Sequence, residues 1–79
     1  MYDLKYIKTK DDKIIVFSAA MSHNEFKDLN PVSAGFVSIA VTTDREINCQ
    51  CYGGSVGLDL KCCKDDSFLV KNQIFNTEF

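Results

Sequence analysis

The chain has one histidine, one proline and no excess of basic charge, and each shortage removes a class of function. A Cys-His nucleophile would have to use His23, and no third residue in the sequence orients that imidazole, so catalysis by such a pair is disfavoured. Lys and Arg total 9 against 11 Asp and Glu, a formal charge of -2, so no bulk positive field draws the protein onto DNA, RNA or an acidic membrane. Neither a Gly-Lys-Ser/Thr phosphate loop nor a Gly-x-Gly-x-x-Gly fingerprint is present. The longest apolar run falls far short of a membrane span, and the opening Met1-Tyr2-Asp3-Leu4-Lys5 has no apolar core or small-residue cleavage site. The expected compartment is the cytoplasm, where thiols stay reduced.

What remains is an apolar content of 46% in 79 residues, which suits one small folded domain over residues 1–79 with a thin stability margin. Leu4, Tyr6 and Lys8 alternate with Lys5, Ile7 and Thr9 in a first strand, and Lys13 to Phe17 is β-branched and aromatic enough for a second. Lys10-Asp11-Asp12 joins them, since Asp tolerates left-handed backbone. Lys5, Lys8, Lys10 and Lys13, interleaved with Asp3, Asp11 and Asp12, read as a solvated hairpin face. Ser22 and Glu25 have capping-box spacing, with Met21 and Phe26 placed as a hydrophobic staple; Asn30-Pro31 stops the short helix.

Ala34 to Thr42 supplies a central strand, Thr43 to Glu46 a turn, and Ile47 to Tyr52 a half-buried strand with Ile47, Cys49 and Cys51 inward. Ser55 to Leu60 predicts a further meander strand. A last helix from Ser67 to about Phe75, capped by Asp65 or Asp66, packs through Phe68, Leu69 and Ile74, and residues 76–79 fray. The expectation is an α+β fold, β-β-α-β-β-β-α, with an antiparallel sheet of about five strands.

Cys49-x-Cys51 and Cys62-Cys63 lack the Cys-x2–4-Cys spacing that points two thiolates at one zinc ion, so the cysteines read as small packing residues with no metal or cofactor. Ser33-Ala34-Gly35 and Gly53-Gly54-Ser55 are the more informative pieces. Glycine lets the backbone turn amides toward an anion and serine adds a donor, although Gly53-Gly54 reads first as a hairpin turn. The candidate ligand-binding residues are Ser33, Gly35, Arg45, Gly53, Gly54 and Ser55, with Arg45 adding charge.

The succession Ser22-His23-x-x-Phe26, Asn30-Pro31-Val32-Ser33-Ala34-Gly35-Phe36 and Cys51-Tyr52-Gly53-Gly54-Ser55-Val56-Gly57-Leu58 resembles small proteins encoded by tailed phages and related mobile elements of gut bacteria. That resemblance implies a host-directed accessory role and no catalytic residues. The expected function is a non-enzymatic binding module, a homo-oligomer that sequesters a small anionic, nucleotide-like ligand or masks a host protein. The alternatives are a structural or assembly component of a phage particle and a small enzyme using Cys51 or Cys63.

Overall fold

The computed structural model describes residues 2–75, so the fraying expected at residues 76–79 lies outside the described residues. The chain is α+β. Strands β1 (Tyr2–Thr9), β2 (Ile14–Phe17), β3 (Pro31–Val41) and β4 (Ile47–Tyr52) form one antiparallel sheet in the order β2-β1-β3-β4. Between β2 and β3 runs a 3₁₀ helix, His23–Leu29, and helix α1 (Asp66–Ile74) ends the described chain. The meander strand expected over Ser55 to Leu60 is instead a hairpin of two short strands, β5 (Gly54–Ser55) and β6 (Leu60–Lys61), which forms a separate two-stranded sheet. Glycine and Asp59 explain the change. Gly53 takes φ +68° and swings the chain out of β4, and Asp59 at φ 56° closes the tight turn.

The β1–β2 turn forms where expected, with Asp12 at φ 61° and the Thr9 amide donating to the Lys13 carbonyl at 2.9 Å. At the next boundary, Ser22 accepts from the Asn24 amide at 3.1 Å, and Asn30 ends the helix in the left-handed region at φ 54°. Phe26 packs against Phe17, with ring centroids 4.3 Å apart.

Strand alternation gives the sheet two faces with different covers. Tyr6, Ile14, Val37 and Ile39 face α1 and surround its Val70, with Leu4, Ile47, Cys49, Cys51, Cys62, Leu69 and Phe75 partly buried around them. On the opposite face, Ile7, Phe17 and Ala34 pack under Phe26 of the 3₁₀ helix and under Leu58 and Leu60 of the β5–β6 hairpin. The anchors expected on α1 need correcting. Phe68 is 69% exposed and Ile74 43% exposed, while Val70 is fully buried. The helix is rotated because its first residue, Asp66, is drawn into the core and fixes which side faces the sheet.

Helix α1 also reaches both outer strands. Ser67 Oγ accepts from the Cys51 amide of β4 at 2.8 Å, and Gln73 Oε1 accepts from the Ile14 amide of β2 at 2.9 Å. Gln73 Nε2 donates to the Asp12 carbonyl. One free edge donor on each side of the sheet is thereby satisfied.

Candidate functional site

Two polar constellations stand on opposite faces of the sheet. The first is closed. Asp66 is fully buried, and its Oδ2 accepts from the Tyr6 hydroxyl, from Ser33 Oγ at 2.8 Å and from the Cys63 amide at 2.9 Å. Its Oδ1 faces the Lys8 ammonium at 3.0 Å. Burial alone pushes the Asp66 carboxyl up, but the hydrogen bonds from Tyr6, Cys63 and Ser33 and the nearby Lys8 outweigh it and hold the group below the ordinary carboxylate range. Tyr6 is raised well above a normal phenol by burial and by its bond to this carboxylate. With Tyr6 and Ser33 fully buried and Lys8 only 8% exposed, this cluster has no room for a ligand and holds α1 to the sheet.

The solvated lysine face expected from the sequence therefore divides. Lys8 goes inward on the α1 face, and Lys5, on the other parity of β1, goes to the face with the 3₁₀ helix. Ser33, a predicted ligand residue, is bound into the Asp66 cluster. Neither Asp65 nor Asp66 caps α1 as expected: Asp65 makes no side-chain cap bond, and Asp66 turns back to the Cys63 amide.

The second constellation is open. A trough of about 440 Å³ runs between the loop before the 3₁₀ helix, β3 and the β5–β6 hairpin, within the size range of small-molecule sites. Phe36, His23, Lys5, Met21 and Asn24 line it together with Gly54 to Gly57 of the hairpin, and Gly57 lies against the Asn24 side chain. His23 is held rigidly: its Nε2 lies 2.9 Å from the Gly35 carbonyl, which can only accept, so that nitrogen carries the proton. Phe17 and Phe36 meet the imidazole edge to face, at centroid distances of 5.5 and 5.9 Å. Phe36 stacks on its cross-strand partner Tyr52 with ring centroids 5.6 Å apart and planes 19° apart.

Lys5 Nζ donates to the Met21 carbonyl at 2.7 Å and sits 6.0 Å from the Phe36 ring centroid, which leaves two ammonium N–H groups for a ligand. Across the trough, the hairpin's own turn bonds run from the Leu58 amide to Ser55 Oγ at 3.3 Å and from the Asp59 amide to the Val56 carbonyl at 3.2 Å. Val56 and Gly57 of this turn line the trough. A second hollow of about 480 Å³, lined by Gly53 to Val56, Asp59, Leu60 and Lys61, adjoins the first through Gly54, Ser55 and Val56.

Of the sequence-predicted residues, Gly54 and Ser55 line the trough and Gly53 lines the adjoining hollow. Gly35 is next to them for a packing reason, because a Cβ there would come within 2.6 Å of the Tyr52 carbonyl oxygen. Arg45 occupies the β3–β4 turn at φ 65°. Five residues of strand, roughly 17 Å, separate that turn from the Phe36–Tyr52 pair, so Arg45 is not brought to the trough. Lys5, Phe36 and His23 were missed as site residues. The available signal was β1 parity, which puts Lys5 and Lys8 on opposite faces of the strand.

Among the described residues no group of three or more His, Cys, Asp or Glu is placed to hold a metal ion, and no helix is long and apolar enough to cross a membrane. Cys49, Cys51 and Cys62 are half-buried against the core and Cys63 is exposed. Comparison of the chain with protein-family models, curated proteins and solved structures gave no match.

Proposed function

We propose that the protein is a non-enzymatic binding module that holds a small anionic, nucleotide-like ligand in the trough beside Lys5. The observation that carries this reading is the sign of the lining. Among the described residues, Lys5 is the one charged residue lining the trough, and no Asp or Glu does so. In a chain of charge -2, a hollow that combines a cation with an aromatic ring and a glycine-rich turn favours an anion attached to a flat ring. His23 is fixed between two rings and a carbonyl, which suits a rigid wall better than a proton shuttle.

In this reading the protein serves a phage or related element as an accessory factor that sequesters its ligand without converting it. Self-association belongs to the same proposal, since Phe68 and Val41, 69% and 63% exposed, offer apolar surface to a second copy. Calorimetry and native mass spectrometry with mononucleotides, cyclic dinucleotides and inorganic pyrophosphate test it. Binding that weakens with salt, drops about tenfold in Lys5→Gln and returns the ligand chemically intact is the expected result. A wild-type protein that binds none of these at millimolar concentration defeats the ligand reading, and a monomer at all concentrations defeats the self-association.

A further inference from the structure

Among the described residues, nothing covers the sheet face beyond the trough. Past the Lys5–Phe36–Tyr52 row, the next residues on this face are Asp3, Ser38 and Gln50, followed by Ala40 and Asn48. Ser38 and Ala40 are small, so the surface dips into a recess of about 360 Å³ walled by the side-chain amides of Asn48 and Gln50. Both amide residues are exposed, and neither side chain is committed to a hydrogen bond within the described chain. Asp3 differs, because its Oδ1 already accepts from the Tyr52 hydroxyl at 3.2 Å.

We propose that this recess is a base-reading subsite: the trough ligand is an adenine nucleotide whose phosphate meets Lys5, whose ring stacks on Tyr52, and whose edge is read by Gln50. This rests on the anion reading of the trough and adds the identity of the ring. The sheet itself acts as a ruler. Lys5 on β1 and Tyr52 on β4 share one row, their backbones two strand spacings or roughly 10 Å apart, with Phe36 of β3 between them. Gln50 follows Tyr52 on the same face after one two-residue step, about 7 Å, so a base lying on the Tyr52 ring carries its edge toward that amide.

Chemistry selects the base. A carboxamide presents one donor and one acceptor side by side, the complement of adenine N7 and N6–H₂, whereas the corresponding edge of guanine offers two acceptors and calls for Arg or Lys. Tyr52 is 41% exposed with its stacked partner Phe36 behind it, so one ring face can receive a base without repacking the core.

The test is calorimetry of AMP, GMP and inorganic pyrophosphate on the wild type and on Tyr52→Ala, Gln50→Leu and Gln50→Glu, each first checked for an unchanged melting temperature. Gln50→Glu keeps the shape of the side chain and removes the donor. The expected result is AMP bound at least tenfold more tightly than GMP, a preference falling below threefold in both Gln50 variants, and a loss of about tenfold for AMP in Tyr52→Ala. Pyrophosphate affinity should not change in Tyr52→Ala and Gln50→Leu. If AMP and GMP bind equally, or GMP binds better, or Gln50→Leu leaves the preference intact, the base subsite is overturned while pyrophosphate binding keeps the trough reading alive. If pyrophosphate and both nucleotides fail to bind, both readings fall together.

Discussion

The Lys8 ammonium lies 3.0 Å from Asp66 Oδ1, and the two residues join the first strand to the first turn of the last helix with both side chains at least nine-tenths buried. A pair like this contributes little by itself to stability relative to apolar residues of the same shape, but removing one partner strands the other charge in the core. Asp66→Asn should therefore cost about 3–5 kcal/mol in urea unfolding. Lys8→Met should be far less harmful in the Asp66→Asn background than alone. Additive losses in that double-mutant cycle would show that the two residues are not coupled.

Acid should attack the fold at the same place. The Asp66 carboxyl is depressed in the folded chain, so its contribution is complete above the unfolded value of about 3.9 and is lost as pH falls through the folded value. Lys8 moves the other way: burial lowers it, yet Asp66 raises it more, so its contribution holds below the unfolded value of about 10.4 and is lost as pH rises through the folded one. Tyr6, also raised, weakens the fold from the same alkaline side. Circular dichroism against pH should show the acid transition of Asp66→Asn flattened, and ultraviolet titration should show Tyr6 ionising only as the protein unfolds.

On α1, the burial of Val70 and the exposure of Phe68 reverse the order of importance that side-chain size alone suggests. Val70→Ala should cost about 2 kcal/mol, from lost burial and the cavity left behind. Phe68→Ala should stay within roughly 0.5 kcal/mol of wild type in the dilute monomer, as surface positions do. Denaturant melts of the two variants at low protein concentration decide the point.

The cysteines should react with iodoacetamide in order of access. Burial pushes the Cys51 thiol up to about 11, against smaller opposing hydrogen bonds from Ser67 and Tyr6, and burial also raises Cys49. Cys63 is exposed. At pH 8, peptide mapping should find Cys63 alkylated first and Cys51 last, with the difference erased in urea. Fast labelling of Cys51 in the native protein would mean that α1 does not cover β4 as described.

Much of the fold was legible because it rests on local rules. Alternation placed β1, β2, β3 and β4, Asp12 and Asn30 adopted the left-handed backbone their residue types tolerate, and Ile47, Cys49 and Cys51 turned inward. The hairpin at Gly54–Lys61 was not legible, because alternation of Val56, Leu58 and Leu60 fits a strand as well as a turn whose apolar side chains fold back on Ile7 and Ala34. The rotation of α1 was hidden for another reason: it follows from a carboxylate meeting groups up to 60 residues away. At the site, Gly54 and Ser55 were found through backbone freedom, while Lys5 and Phe36 needed the knowledge of which face the 3₁₀ helix covers.

The reach of α1 to both outer strands has a consequence for the order of events in folding. Its partners lie far back in sequence, 59 residues for Gln73 and Ile14 and 60 for Asp66 and Tyr6, so these contacts belong to the late, long-range part of assembly. Until the helix docks, the four-stranded sheet has neither edge donor satisfied, and Lys8 lies on the apolar face without its counter-charge. The unhelixed sheet is then a poor resting state and a ready template for strands of other copies. In the folded chain α1 covers that face and reaches both edges, which makes the helix the element that separates the finished domain from a self-templating sheet.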